Sequence, residues 1–399
     1  MNCKKMLKNL ALVLAGAIIL PAFATADIKM GVILGFTGPI ESLTPDMGGS
    51  AEVAFKEASD SGLLLGGQKI VSVRADSTCI DNAAATAAAE RLVTAEKVAG
   101  IMGADCSGVT TAVANNVAVP NGVPMISPSA TSPALTTIAD NGYFFRTAPS
   151  DARQGQVLAS ITVERGITSV AVTYVNSDYG KGLSDSFGKA FQALGGTVTI
   201  SVPHETGKAD YSAEVASMDS AGGDAMAVFG YVNQGGPGIM QASLDSGSFD
   251  KFILADGMYG DDLLTNVEGD LTGTFGTVPG TDSKGAATYA DMANAAGLKG
   301  SGPFTGESYD AAALLILAMQ SAGSTDGAAI ASNVMGVANA PGEKIMPGEL
   351  AKGLRILANG GAVDYVGATN VELTGVGEAS GSYREFEIRN KAFQTVRFR

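Results

Sequence analysis

The sequence predicts an α/β protein built as two doubly wound, parallel-sheet lobes. Two observations carry that expectation. Short apolar runs alternate with amphipathic stretches, the pattern of a parallel sheet covered by helices on both faces. The alternation also occurs as two series of similar size, more than one core would comfortably hold. The composition agrees, since 399 residues with 46% hydrophobic and 17% charged exclude a disordered chain and supply two moderate cores.

The first series opens with a strand at 28–34 that ends in Gly35-Phe36-Thr37-Gly38-Pro39, a run of turn formers. A helix follows at 49–61, where Val53, Ala54, Phe55 and Ala58 fall at helical spacing and Gly62 closes the segment as a C-cap would. Strands at 69–73, 98–102 and 123–127 then alternate with helices at 83–95 and 110–119. After Phe145-Arg146-Thr147-Ala148-Pro149 the second series begins with a helix from Asp151 carrying Val157, Leu158 and Ile161. A strand at 169–175 leads into a helix whose Leu183, Phe187, Ala190, Phe191 and Leu194 form one apolar stripe, stopped by Gly195-Gly196. Three more strands are expected at 197–202, 225–231 and 252–256. In the last third, a helix at 309–320 and an antiparallel hairpin at 383–398 around Asn390-Lys391 stand out, whereas 339–379 is glycine-rich and mixed in pattern.

Residues 1–26 read as a secretory signal peptide. Lys4, Lys5 and Lys8 precede an apolar stretch at 10–20, and Ala24-Thr25-Ala26 has the small-residue form of a cleavage site. The stretch is too short to span a bilayer, and no later run is long enough. Cys3 precedes the apolar core rather than following it, which argues against a lipid anchor; a free periplasmic protein beginning at Asp27 is expected. The full chain has 40 acidic against 26 basic residues, a net charge of −14, and without the three lysines of the first 26 residues the balance is −17. Phosphate backbones and anionic lipid surfaces would repel it, so nucleic acid is not an expected partner. In an oxidising compartment the remaining cysteines, Cys79 and Cys106, are expected to pair, with two buried free thiols as the alternative.

The chemistry of an enzyme is largely missing. His204 is the single histidine, expected in an exposed loop beside Glu205, and no second histidine or free thiol completes a triad or a zinc site. There is no G-x-S-x-G elbow, phosphate loop or dinucleotide fingerprint. Carboxylate pairs such as Asp261-Asp262 suit a solvated surface in so acidic a chain. No catalytic residue, metal or cofactor is expected, and a secreted hydrolase is the least favoured reading.

Binding chemistry is better represented. In doubly wound sheets, ligands sit beyond the carboxyl ends of strands, where loops enter helices. Gly103-Ala104-Asp105-Cys106-Ser107-Gly108 has that position, so Ser107 offers a hydroxyl and an amide to an anion, or else is a plain N-cap. Ser127-Pro128-Ser129-Ala130-Thr131-Ser132-Pro133 follows another strand; Ser132 suits an N-cap before Pro133, which leaves Ser129 and Thr131 for a ligand. In the second series Tyr179-Gly180, Tyr231 and Asp256-Gly257 each follow a strand. Singly these are ordinary loop residues; their recurrence at one topological position is the signal.

Together these pieces resemble the periplasmic leucine/isoleucine/valine-binding proteins, the solute receptors of branched-chain amino-acid ABC transporters. The resemblance covers essentially the whole chain after residue 26. It is carried by Gly35-Phe36-Thr37-Gly38-Pro39, Ile126-Ser127-Pro128-Ser129-Ala130-Thr131-Ser132-Pro133, Asn176-Ser177-Asp178-Tyr179-Gly180 and Asp210-Tyr211-Ser212, and Cys79 and Cys106 fall where that family's small disulfide lies. It implies the type I periplasmic binding protein fold, with three hinge crossovers near Thr147, Pro279 and Gly381. These would join a first lobe, 27–147 with 280–380, to a second, 148–279 with 381–399. By the same resemblance Ser107 and Thr131 hold a ligand carboxylate, and the Ser129 carbonyl and Thr131 hydroxyl receive an α-ammonium. Tyr179, Tyr231 and Asp256 would close over the ligand, Asp256 as the ammonium's countercharge.

Three positions depart from the family: Asp256 replaces a longer glutamate, Leu43 an aromatic, and Asp105 an apolar residue of the side-chain pocket. The implied protein is a monomer that captures an amino acid or similar small zwitterion by hinge closure and docks on an ABC permease. Asp105 would favour a polar side chain, unless it points to solvent or caps the next helix. The alternatives are a receptor of the same fold for urea, short amides or carboxylic acids, and a periplasmic sensor.

Overall fold

The computed structural model describes residues 26–399. The signal peptide expected at 1–26, Cys3 included, lies outside the described residues except for Ala26. The first series forms β1 (Ile28–Leu34), β2 (Ile70–Asp76), β3 (Ile101–Gly103), β4 (Met125–Ser127) and β5 (Phe144–Pro149). The second forms β6 (Ser169–Val175), β7 (Thr197–His204), β8 (Ala225–Phe229), β9 (Phe252–Leu254) and β10 (Phe275–Pro279). The last third adds β11 (Glu343–Ile345), β12 (Val363–Tyr365), β13 (Glu378–Ala379), β14 (Tyr383–Arg389) and β15 (Ala392–Phe398). One six-stranded parallel sheet has the order β13-β5-β4-β3-β1-β2. A seven-stranded sheet runs β15-β14-β10-β9-β8-β6-β7 and is parallel except for β14 and β15. The architecture is the two-lobed α/β fold read from the sequence.

The buried strands explain why the apolar runs are continuous rather than alternating. β3, β4 and β8 are buried at every residue, as strands covered on both faces must be. In the helix Asp178–Ala193, Leu183, Phe187 and Phe191 face the core, and Phe187 stacks on Phe191 at 5.4 Å and meets Phe229 of β8 edge-on. Leu194, expected on that stripe, is instead the C-cap and is half exposed, because the helix ends one residue before it. The hairpin turns where expected: Asn390 and Lys391 both adopt positive φ, as a two-residue turn matched to strand twist requires.

Other boundaries moved for local reasons. The first helix is Thr44–Ser61 rather than 49–61, because Pro45 sits in the first turn, where a missing N–H costs nothing. β3 starts at Ile101 because the preceding helical segment runs to Glu96 and Lys97 turns left-handed. The helix Thr305–Ala322 is buried on nearly every face, sheathed by the helices Thr44–Ser61 and Gly327–Ala338, which erases a one-sided stripe from its sequence.

The chain passes between the sheets three times, from β5 into the helix Asp151–Glu164, from β10 into Lys284–Ala295, and from β13 into β14. The last two passages run side by side, with Gly280 N donating to Ser382 O at 3.0 Å and Ser382 Oγ to Gly280 O at 2.9 Å. The first is tied to the long helix through Thr147 Oγ1, which donates to Glu307 O at 2.8 Å. Cys79 and Cys106 form a disulfide that joins the loops after β2 and β3. Closing a loop of that length stabilises a fold by roughly 3 kcal/mol in the chain-entropy model.

His204 corrects the expectation of an exposed loop residue. It is the last residue of β7, only 1% exposed, because the strand continues past Val202 and carries the ring under Gly230 and Gly235. Its Nδ1 bonds with Thr173 Oγ1 at 2.9 Å, and burial pushes its pKa down to about 4. An unfolded histidine titrates near 6.5. As pH falls from about 6.5 toward 4, the unfolded chain therefore takes up a proton that the folded chain refuses, and stability is lost. Urea unfolding between pH 7 and pH 4 is expected to cost the native chain about 3 kcal/mol more than His204→Gln; parallel curves would remove His204 as the cause.

Candidate functional site

The loops leaving β1, β2, β3 and β4 build the wall of the first lobe. Gly103, at φ +131, turns the chain out of β3, and a Cβ there would lie 2.1 Å from Ile33 O, so only glycine fits. That turn delivers Asp105, which is 1% exposed. Its Oδ2 accepts from Gly35 N at 2.6 Å and its Oδ1 from Ser77 Oγ at 2.8 Å. Burial raises its pKa, and these bonds offset part of the rise. Asp105 therefore staples three loops together; it neither points to solvent nor caps the following helix, whose N-cap is Cys106 without a side-chain bond. Ser107 is not an N-cap either, and its Oγ accepts from Ser132 N at 3.0 Å. Ser129 Oγ donates to Asp105 O at 3.1 Å, and Ser132 caps the short helix Pro133–Thr137 as expected.

Behind this wall lies Arg146, a residue the sequence did not single out. It reaches back from β5, 1% exposed, and donates from one nitrogen to Ala130 O at 3.0 Å and Ser132 O at 2.9 Å. Its other nitrogen pairs with Glu378 and bonds Thr136 Oγ1. A buried guanidinium with both ends occupied holds the Ser127–Pro133 segment in one shape.

The second lobe supplies an aromatic and acidic wall. Tyr179 OH donates to Asp256 Oδ1 at 2.7 Å and accepts from Gly257 N at 3.2 Å. Tyr231, just past the end of β8 rather than within it as expected, stacks on Tyr179 with ring centroids 5.3 Å apart. Beside them stands Asp151, the first residue after the first passage between sheets. Its amide donates to Thr131 O at 2.8 Å. Among the described residues, both Asp151 carboxylate oxygens, Thr131 Oγ1 and Gln154 Oε1 are buried without a hydrogen-bond partner. Burial, and then the charge of Asp256, push Asp151 well above the usual carboxylate range, with Arg146 offsetting part of the shift. Burial also raises Asp256 to about 6, against the lowering effect of its bond from Tyr179. Neither carboxylate has an ion-pair partner among the described residues. In the sequence Asp151 looks like an acid in the first turn of a helix, and nothing local marks its approach to Asp256.

The cleft between these walls brings together Asp105, Ser107, Ser129, Tyr179, Tyr231 and Asp256 and is also lined by the apolar Ile40, Leu43, Met47 and Phe304. Thr131 does not line it; it lies buried with Asp151. The space left is about 30 Å³, roughly one water molecule's share of liquid volume, so a solute of amino-acid size enters only when the lobes part. At the rim, Asn233 of the second lobe clasps the first. Its Oδ1 accepts from Ser42 N at 3.1 Å and Ser42 Oγ at 2.9 Å, its amide N–H reaches Pro39 O at 3.0 Å, and its Nδ2 is held by Asp262 at 2.7 Å.

Comparison with known proteins agrees with this geometry. Residues 27–350 match the family model described as periplasmic binding protein. The Leu/Ile/Val-binding protein homolog 1 of Brucella abortus is 30% identical over 318 residues, 78% of this chain and 83% of that protein. Among solved structures, a leucine-binding protein of Thermotoga maritima superposes with a TM-score of 0.76 at 24% identity, over 93% of this chain and 98% of its own. A Rhodopseudomonas palustris solute-binding protein in complex with 4-hydroxybenzoate reaches 0.74 at 19% identity, over 93% and 96%. At these identities the two structures establish the fold alone.

The rim clasp generates a test. Asn233→Ala removes two bonds between lobes without touching the cleft, a loss of about 1 to 2 kcal/mol. Solute binding is expected to weaken roughly tenfold through faster dissociation, with unfolding of the free protein unchanged. Slower association instead would show that the clasp acts before closure.

Proposed function

We propose a function for a chain that belongs to the periplasmic binding protein family: it is a periplasmic receptor that captures a small α-amino acid with an apolar side chain and delivers it to an ABC transporter. The observation that carries the choice of solute is the buried pair Asp151 and Asp256, neither of which has an ion-pair partner among the described residues, with Arg146 giving Asp151 only partial relief. Uncompensated buried carboxylates are costly, and an ammonium placed between them restores their ionised form. A carboxylic acid without an amine, such as the 4-hydroxybenzoate held by the Rhodopseudomonas receptor, would instead bring a further negative charge to the same place. Two observations support an apolar side chain. Ile40, Leu43, Met47 and Phe304 give the cleft an apolar part of its lining, and both oxygens of Asp105 are already engaged. The Leu/Ile/Val-binding name of the Brucella relative favours the same class.

In this reading the solute first meets Ser107 and Ser129 on the first lobe, and Thr131, buried with Asp151 while the lobes are together, comes within its reach when they part. Closure then adds Tyr179, Tyr231 and Asp256, and the solute stabilises the closed state because only that state makes both sets of contacts. The lobes are 27–147 with 280–380 and 148–279 with 381–399, hinged near Thr147, Pro279 and Gly381. No bond is made or broken in the solute. The closed form is the one that docks on the permease, and the protein acts as a monomer.

A thermal-shift panel tests the solute class, because a ligand that binds only the folded chain raises its stability by mass action. L-Leucine is expected to raise the midpoint more than 4-methylpentanoate, its deaminated counterpart, or 4-hydroxybenzoate. A larger shift with either acid would contradict the reading. Asp256→Asn leaves a buried ammonium without its partner, a loss of roughly 3 kcal/mol. Leucine affinity should fall about a hundredfold while that of 4-methylpentanoate holds or improves. An equal loss for both would mean that Asp256 does not face the amine.

A further inference from the structure

A second cavity, of about 150 Å³, lies on the hinge rather than in the cleft. That is room for roughly five water molecules by their share of liquid volume, or for one small organic molecule. Glu307, Tyr289 and Thr369 line it from the first lobe, Arg384 and Phe398 from the second, and Gly280 of the second passage between sheets lies beside it. None of these residues takes part in the cleft already described.

We propose that this cavity is an effector site for a small zwitterion of about glycine's size, with its ammonium set against Glu307 and its carboxylate against Arg384. Occupancy would hold the two lobes in their closed arrangement. The inference rests on hinge closure but not on which solute the cleft takes.

Two groups of opposite sign, not paired with each other among the described residues, carry the choice of ligand. Glu307 is 5% exposed, and the one amide near enough to aid its carboxylate is its own. Burial, against partial relief from Arg384, pushes its pKa up to about 8. A carboxyl group so placed is stabilised by a cation that desolvation does not remove. Arg384 has a buried Nε without a hydrogen-bond partner among the described residues, and its guanidinium lies 4.8 Å from the centroid of Tyr259. The two side chains line one cavity yet form no ion pair with each other among the described residues. A molecule with a positive and a negative end fits between them and satisfies both.

The position gives the site its consequence. Glu307 is joined through its carbonyl to Thr147 at the first passage between lobes. Arg384 sits two residues beyond Ser382, which is zipped to Gly280 at the other two passages. An occupant that touches both sides differs in contacts between the open and closed states, and it therefore biases that equilibrium. By reciprocity, a solute in the cleft tightens the occupant by the same factor.

The test is a calorimetric titration of glycine into the protein carrying Ser107→Ala and Asp256→Asn, which disable the cleft. Saturable glycine binding is expected to persist there and to fall at least tenfold when Glu307→Gln or Arg384→Gln is added. Loss of glycine binding on disabling the cleft, or its survival in both hinge variants, would overturn the proposal. Should a hinge variant fail to fold, crystals of the native chain grown with glycine decide: a zwitterion between Glu307 and Arg384 upholds the site, and water alone refutes it.

Discussion

The arrangement depends on the cost of burying Asp151 and Asp256 together. Two carboxylates in a low-dielectric interior cannot both ionise without a cation, and here burial and mutual repulsion raise Asp151 while burial raises Asp256. One belongs to the first helix after the hinge, tied by its amide to Thr131 in the first lobe; the other leaves β9 in the second. An ammonium between them relieves the repulsion only when the lobes are together. In the function proposed above, closure and the choice of solute follow from the same electrostatic conflict.

The two walls meet this conflict with different stiffness. In the first lobe Arg146 grips two carbonyls of the Ser127–Pro133 segment, the disulfide joins two neighbouring loops, and Asp105 staples Gly35 and Ser77 to a third. That surface is set before a solute arrives, which limits the ordering cost of the first encounter. The second wall is a stacked pair of tyrosines with one hydroxyl on Asp256. In the proposed function it would meet the solute as a unit when the hinge closes, and the Asn233 clasp would then add binding energy without a contact to the solute. Affinity and selectivity are therefore held by different residues.

The alternation of strands and helices was legible in the sequence because apolar periodicity is a local property. The first strand, the stripe of Leu183, Phe187 and Phe191, and the hairpin turn at Asn390-Lys391 all follow from it. The topological argument also reached the loop ends that carry Ser107, Ser129, Tyr179, Tyr231 and Asp256, which do meet in one cleft. What escaped were features set by distant parts of the chain. His204 reads as a loop residue until β6 supplies Thr173 and β8 covers it. Asp105 does line the cleft, but nothing local shows that Gly35 and Ser77 claim both of its oxygens. Asp151 and Arg146 carry no motif at all, since the role of each arises from a partner far along the chain.

The most direct test of the account is proton release on binding, measured by calorimetric titration of L-leucine at pH 6 in two buffers of different ionisation enthalpy. With Asp256 near 6 and Asp151 well above its usual range, the pair is partly protonated at that pH. An ammonium set between them lowers both pKa values, so binding is expected to release protons, and Asp151→Asn should diminish the release. Identical heats in the two buffers, or net proton uptake, would contradict the claim that the paired carboxylates receive the amine.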